Sequence, residues 1–210
     1  MSLAIPLADG LSALGLELHA AQQQTLLDYV ELIAKWNKVY NLTAVRDPAA
    51  MITQHILDSL AVMPHLKDCN RLIDVGTGAG LPGIPLAIAQ PTLKVCLLDS
   101  IHKKTTFLRQ AVLELGLTNV EIVCERVEHY QPEQGFEVVI SRAFSDLSEF
   151  ARLTAHLLAK GGKLCAMKGI YPHEELGKLP QQIKLEEVIP LTVPGMDANR
   201  HLVIMRVEEE

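Results

Sequence analysis

Arg71-Leu72-Ile73-Asp74-Val75 runs directly into Gly76-Thr77-Gly78-Ala79-Gly80-Leu81-Pro82-Gly83, and the reading of this stretch decides the fold. The apolar run predicts a buried strand. The glycines turn it into a second apolar segment, Ile84-Pro85-Leu86-Ala87-Ile88-Ala89. Glycine tolerates positive φ and lets the main chain approach a ligand that a side chain would hold off. Helix N-terminal amides at such a turn attract a negative or electron-rich group. A further apolar run, Val95-Cys96-Leu97-Leu98, ends in Asp99. An acid at the end of the second strand, about 20 residues past the glycines, suits the hydroxyls of a ribose. Strand, glycine turn and ribose acid together predict a cofactor that contains adenosine.

The glycines align in two ways. Gly78-Ala79-Gly80-Leu81-Pro82-Gly83 satisfies the dinucleotide pattern G-x-G-x-x-G, whereas Asp74 with Gly76, Gly78 and Gly80 resembles the D-x-G-x-G-x-G turn of methyltransferases that use S-adenosylmethionine (SAM). A pyrophosphate site wants its first glycine where the strand ends, and Gly76 rather than Gly78 stands there. Asp74 would repel a pyrophosphate and fits a ligand with a cationic amino-acid end. SAM is favoured, with an NAD(P)-binding oxidoreductase as the alternative. A non-catalytic SAM-binding module is a third reading.

Composition bounds these readings. The 210 residues suit one ordinary domain with a small extension, and 49% hydrophobic residues suffice for a sizeable core. A net charge of −6 argues against a generally basic nucleic-acid binder, so any RNA contact must come from a local patch. Glu208-Glu209-Glu210 reads as a solvated tail. Cys69, Cys96, Cys124 and Cys165 are widely spaced without a C-x-x-C pair, and three of them sit in apolar runs, which predicts buried free thiols. The eight histidines form no cluster with metal-ligand spacing, so no metal is expected. Without a signal peptide or a run of eighteen apolar residues, a soluble cytoplasmic protein with no membrane partner is expected.

Along the chain, Leu26, Val30, Ile33 and Val39 keep helical spacing from His19 to about Tyr40. Asp47-Pro48 supplies an N-cap and a first-turn proline. The next helix carries Met51, Ile52, Ile56, Leu60 and Met63 and stops near Pro64. Residues 1–66 thus form a helical extension, too small to fold alone, that packs on a domain of residues 67–210. In that domain strands alternate with helices, which predicts an α/β fold with a mostly parallel sheet. A helix from Leu147 to Leu158 ends at Gly161-Gly162, and a fifth strand follows from Lys163 to Met167. The last two runs, Leu185 to Val193 and His201 to Val207, have only Pro194-Gly195 and Asp197 between them, so the last strand should be antiparallel. That ending suits a seven-stranded methyltransferase sheet of the Rossmann-like class I type.

Ligands of such sheets bind beyond the carboxyl ends of the strands. Arg126, Arg142 and Lys168 follow the third, fourth and fifth strands. Each alone reads as a surface charge; together they favour a site that receives a polyanion. With these residues on view, the chain resembles the RsmG (GidB) family of bacterial 16S ribosomal RNA methyltransferases. The resemblance rests on Lys35-Trp36-Asn37-Lys38-Val39-Tyr40-Asn41-Leu42-Thr43, His55-Ile56-Leu57-Asp58-Ser59, the glycine turn with Asp74 and Ile84-Pro85, Leu98-Asp99-Ser100, Ser141-Arg142-Ala143, Lys168-Gly169 and Arg200-His201. One departure is His102-Lys103-Lys104, where the family has a Gly-Lys-Arg-like run.

The resemblance implies methyl transfer from SAM to N7 of guanine-527 in the 530 loop of 16S RNA. The substrate would be that RNA, the small ribosomal subunit or an assembly intermediate. It implies a cofactor site of Asp74, Gly76, Gly78, Gly80, Leu81, Asp99, Val127, Glu128 and Arg142, with Arg142 open to either the cofactor or the RNA. In that site the amides of Gly76 to Gly80 face the methionine end, Asp99 the ribose and Val127-Glu128 the adenine. Arg46, His55, Arg126, Lys168, Arg200 and His201 are expected to bind or position RNA. Guanine N7 carries a lone pair and no proton, so no general base is expected and alignment matters most. Trp36 and Tyr40, four apart on one helical face, suit either base stacking or, more readily, packing of the lobe.

Overall fold

The fold is described from a computed structural model covering residues 2–208, so Met1 and the Glu209-Glu210 part of the acidic tail lie outside the described residues. The extension opens with α1 (Ala4–Ala13) and α2 (Ala20–Tyr40). His19 begins α2 with a capping box, its amide donating to Gln22 Oε1 at 2.9 Å, and Asn41 ends it with φ 50°. Asp47 then caps α3 (Pro48–Met51), its Oδ1 accepting from Ala49 N at 3.1 Å. The single helix expected next is interrupted. A π-helical segment spans Ile52–Leu57 before α4 (Asp58–Leu60). The π segment widens the helix by one residue per turn, a distortion that tends to gather at functional sites.

The sheet comprises β1 (Arg71–Val75), β2 (Lys94–Leu98), β3 (Val120–Val123), β4 (Phe136–Ser141), β5 (Leu158–Lys168), β6 (Ile183–Pro190) and β7 (His201–Val207). Their order is β3-β2-β1-β4-β5-β7-β6. Strands β1 to β5 pair in parallel, and β7 runs antiparallel between β5 and β6. The seven-stranded α/β sheet with its antiparallel last strand is therefore as expected. One boundary is not. Helix α7 (Leu147–Thr154) passes through a 3-10 turn into β5 at Leu158, so Gly161 and Gly162 lie inside the strand. Gly162 has room for no side chain there, since an added Cβ would meet Phe136 O at 2.9 Å.

Alternation along β1 places its side chains in two cores. Leu72 joins a cluster with α2, α5 (Gly83–Ala89) and α6 (His102–Glu114), while Ile73 and Val75 join one with α7. The first cluster also takes in Leu7, Leu26, Ile33, Ile56 and Leu60, so the helical extension and the sheet share one core. Trp36 belongs to this seam. It stacks on Tyr40 at 5.1 Å between centroids and approaches Phe107 of α6 at 5.8 Å, which is packing rather than a free stacking face.

Tyr29 bolts the two parts together. Its hydroxyl, fully buried on α2, donates to Ala79 O of the glycine turn at 2.6 Å. Tyr29→Phe should therefore destabilise the chain by about 1–3 kcal/mol, the cost of a buried carbonyl left without its donor. Urea denaturation would measure this; no loss would mean that the bond carries no net stability.

Candidate active site

The glycine turn is held from beneath by Asp74. Period-2 alternation puts this residue on the same side of β1 as Leu72, facing the core, and its carboxylate is 0% exposed. Its Oδ2 accepts from Thr77 Oγ1 at 2.6 Å and from Gly83 N at 2.9 Å, while Oδ1 has no protein partner. Asp74 thus closes the loop around itself instead of facing outward to a ligand.

The amides of the turn are likewise committed. Gly76 N and Thr77 N both donate to Leu98 O, Gly80 N to Thr77 O, and Gly78 N to Asp99 Oδ2 at 2.9 Å. These four donors are therefore not free for the methionine end of SAM, contrary to the expectation for Gly76 to Gly80. They are not free for a pyrophosphate either, which removes the physical basis of the dinucleotide alignment. What the glycines supply is shape. Gly76, Gly78 and Gly80 have φ of 69°, 61° and 93°. A Cβ on Gly76 would come within 2.9 Å of Ala143 Cβ and fill the cradle between β1 and β4.

Two cavities open at the carboxyl ends of the strands. The first, about 290 Å³, is lined by Gly76, Asp99, Val127 and Glu128, with Val75, Ser100 and Phe144 among its other walls. Asp99 is fixed at its floor: Oδ2 takes Gly78 N, Oδ1 takes Ile101 N at 2.9 Å, and Lys104 Nζ lies 3.8 Å away. Arg126, expected on the RNA side, lines this first cavity instead, because the loop after β3 folds over it. Gly80 and Leu81 lie behind the turn, with Leu81 buried in the core.

The second cavity, about 340 Å³, is lined by Gln54, His55, Asp58, Arg142, Lys168 and Arg200, with Met167 and Gly169. It brings the π segment of the extension against the ends of β4, β5 and β7. Arg142, open in the sequence between cofactor and RNA, stands here. Its Nη1 donates to Gln54 O at 3.2 Å and to Asp58 Oδ2 at 3.0 Å. Arg200 Nε donates to Asp58 Oδ1 at 3.0 Å. Lys168 is neutralised by Glu175 at 2.8 Å and also donates to Ser145 O. His201 sits at the edge, its Nδ1 3.2 Å from Gly169 O. Arg46 is exposed in the loop before α3 and lines neither cavity.

His55 is not paired with Asp58. Its Nε2 meets Thr43 Oγ1 at 2.9 Å, and Nδ1 is buried without a hydrogen bond. Burial above all lowers its pKa from 6.5, and Arg142 adds to this, against the Gln54 carbonyl and Asp58, which favour the charged ring. Cys165 on β5 is equally withdrawn, its thiol pushed up to about 12 by burial. Of the other thiols Cys69 and Cys96 are buried and Cys124 is exposed.

Sequence reasoning had no role for Gln54 and only an open one for Asp58. An acid set inside the apolar run Ile56-Leu57-Asp58-Ser59-Leu60 was the available signal, because a buried helix face tolerates a carboxylate only when it is paired.

Burial raises the Asp74 carboxyl from 3.8 to about 6; the Thr77 hydroxyl, the Gly83 amide and Arg142 oppose the rise, and Asp99 adds to it. Between about pH 4 and pH 6 the folded chain holds a proton at Asp74 that the unfolded chain has released. This contribution to stability falls as pH rises through that window, by roughly 3 kcal/mol at most. Asp74→Asn should flatten that part of the profile in urea melts, and an unchanged profile would place the proton elsewhere.

The sequence and fold have known counterparts. A family model described as rRNA small subunit methyltransferase G matches residues 22–203. A curated "Ribosomal RNA small subunit methyltransferase G" of Laribacter hongkongensis is 60% identical over 203 residues, 97% of this chain and 98% of its own. One of the same name from Chromobacterium violaceum is 58% identical over 199 residues, 95% of each chain. Among solved structures, the glycopeptide N-methyltransferase MtfA aligns with a TM-score of 0.63 at 11% identity, over 77% of this chain and 100% of that one. At that identity the likeness is one of fold, and the fold is that of class I SAM-dependent methyltransferases. With a family model matching residues 22–203 and relatives this similar over nearly its whole length, the chain belongs to the rRNA small subunit methyltransferase G (GidB) family.

Proposed function

We propose that the chain transfers a methyl group from SAM to N7 of a guanine in 16S ribosomal RNA, the target being guanine-527 of the 530 loop. Residues 67–210 form the methyltransferase domain in this reading, and residues 1–66 supply one wall of the RNA site. The observation that carries it is the meeting of two unlike cavities at the carboxyl ends of one sheet. One has an acidic floor at Asp99 and the other a pair of arginines.

The first cavity suits SAM. The cradle at Gly76 is one a Cβ would fill, and Asp99 presents a fixed carboxylate where ribose hydroxyls can donate. Gly76, Asp99, Val127 and Glu128 would hold the cofactor, with Arg126 and Phe144 at the wall. Bound there, SAM supplies an electrophilic methyl group on a sulfonium. The protein's own work is to seat the guanine so that N7 lies in line with that methyl group and water is kept out.

The second cavity holds no carboxylate or amine free of an ion pair, and its one imidazole, His55, is buried. Both oxygens of Asp58 accept from guanidinium groups, Lys168 is paired with Glu175, and the His55 ring is held through Nε2 on Thr43. A nucleophile that brings its own lone pair, as guanine N7 does, requires no such base. The thiol of Cys165, held protonated, offers no route to cytosine C5 chemistry.

Mass spectrometry of nucleosides from 16S RNA or small subunits, after incubation with the enzyme and SAM, should show a gain of one 7-methylguanosine. Methyl groups on another atom, or none in any ribosomal RNA, would overturn the reading. Asp99→Ala should weaken SAM binding in calorimetry by about 1.5–3 kcal/mol, the scale of hydrogen bonds to a charged group.

A further inference from the structure

We propose that Asp58 is a positioning residue for the RNA: its buried carboxylate holds Arg142 and Arg200 as a two-pronged clamp for a backbone phosphate at the mouth of the second cavity. This rests on the reading of the chain as an RNA methyltransferase and assigns a role in that reaction to a residue that neither contacts the methyl donor nor moves a proton.

The geometry is specific. Asp58 is 1% exposed, and each of its oxygens takes one N–H from a different arginine, Arg142 Nη1 on Oδ2 and Arg200 Nε on Oδ1, both at 3.0 Å. Those arginines come from segments 84 and 142 positions away in the sequence. Each arginine side chain is 28% exposed. The hydrogen bonds of Arg142 run through Nη1, and those of Arg200 through Nε and Nη1. The Nη2 group of each, with two N–H donors, is thus without a partner among the described residues. A guanidinium presents its donors in a rigid planar fork, so fixing one edge on a carboxylate aims the others.

Charge points the same way. One carboxylate against two guanidinium groups leaves a single net positive charge at this wall, whereas Lys168 beside it is cancelled by Glu175. On a chain of net charge −6 this local excess is what can meet a phosphate. A purely structural ion triad would need only one arginine to neutralise Asp58. The second adds a buried-edge charge whose desolvation is costly unless a counter-anion arrives.

The two roles predict opposite signs for one substitution. Asp58→Asn removes a negative charge next to two arginines, so if Asp58 merely damped the positive field, RNA would bind more tightly and with a steeper salt dependence. If it positions the arginines, the clamp loosens. The KM for a 16S RNA fragment should then rise about tenfold or more, the scale of one charge-assisted hydrogen bond, while the KM and dissociation constant for SAM stay within about twofold. Unchanged or tighter RNA binding by a variant whose circular dichroism and melting match the parent would overturn the proposal. Should Asp58→Asn fail to fold, Arg200→Lys carries the test, since it keeps the charge and loses Nη2. A KM for RNA equal to that of the parent would overturn the clamp, and a rise of about tenfold would support it. The parent enzyme is the control throughout, and small subunits replace the fragment if they alone are methylated: if it transfers no methyl group to either, the functional reading itself falls, and if it does, the outcome bears on Asp58 alone.

Discussion

The bend between β1 and α5 depends on a single carboxylate oxygen. Asp74 Oδ2 receives the Thr77 hydroxyl and the Gly83 amide, and these two bonds draw the chain from Gly76 to Gly83 into a closed loop. A Cβ on Gly83 would meet Leu97 Cδ2 at 2.3 Å, so α5 can start that close to β2 only with glycine in place. Burying a carboxylate so completely is expensive, and the raised pKa of Asp74 reflects that cost. The return is a turn whose shape is set by the protein alone. Its amides go to Leu98, Thr77 and Asp99, which fixes Asp99 in turn at the floor of the first cavity.

The second cavity is built on a different principle. Its walls come from three places that meet only in the finished fold: the π segment, the end of β4 and the chain entering β7. An open parallel sheet positions residues at its strand ends by hydrogen-bonded register, but the extension has no strand and must be located by packing and by charge. Tyr29, Trp36 and the shared apolar cluster locate the helices broadly. Asp58 locates the arginines locally. The two cavities are neighbours because Gly76 and Ala143 crowd together on one side while Arg142, one residue before Ala143, turns to the other.

Much of this was legible in the sequence. The strand–glycine–helix stretch, the acid at Asp99, the capping Asp47 and the short final connection each follow from local chemistry, and the structure places them accordingly. Local chemistry could not reveal which way a side chain faces. Asp74 sits in a motif that suggests ligand contact, yet alternation from Leu72 turns it inward. Arg126 and Arg142 follow strands that are consecutive in the chain yet line different cavities, because the loop after β3 closes over one and the chain after β4 opens on the other. The π segment was hidden too. Its apolar residues satisfy helical spacing almost equally well, and the extra residue shows only when the hydrogen bonds are drawn. Gly161 and Gly162 resemble a stop because glycine ordinarily ends a helix, whereas here the strand has already begun.

The span of the Asp58 triad has a consequence for how the protein comes into being. The residues that build the floor of the first cavity, Asp74 to Asp99, leave the ribosome long before Arg200. The wall of the second cavity that Arg200 supplies is therefore in place only once β7 has docked between β5 and β6. Long-range closures of this kind form late in folding. The triad therefore closes only once β7 is in place, and the extension and the last strand are fixed to each other in that one step.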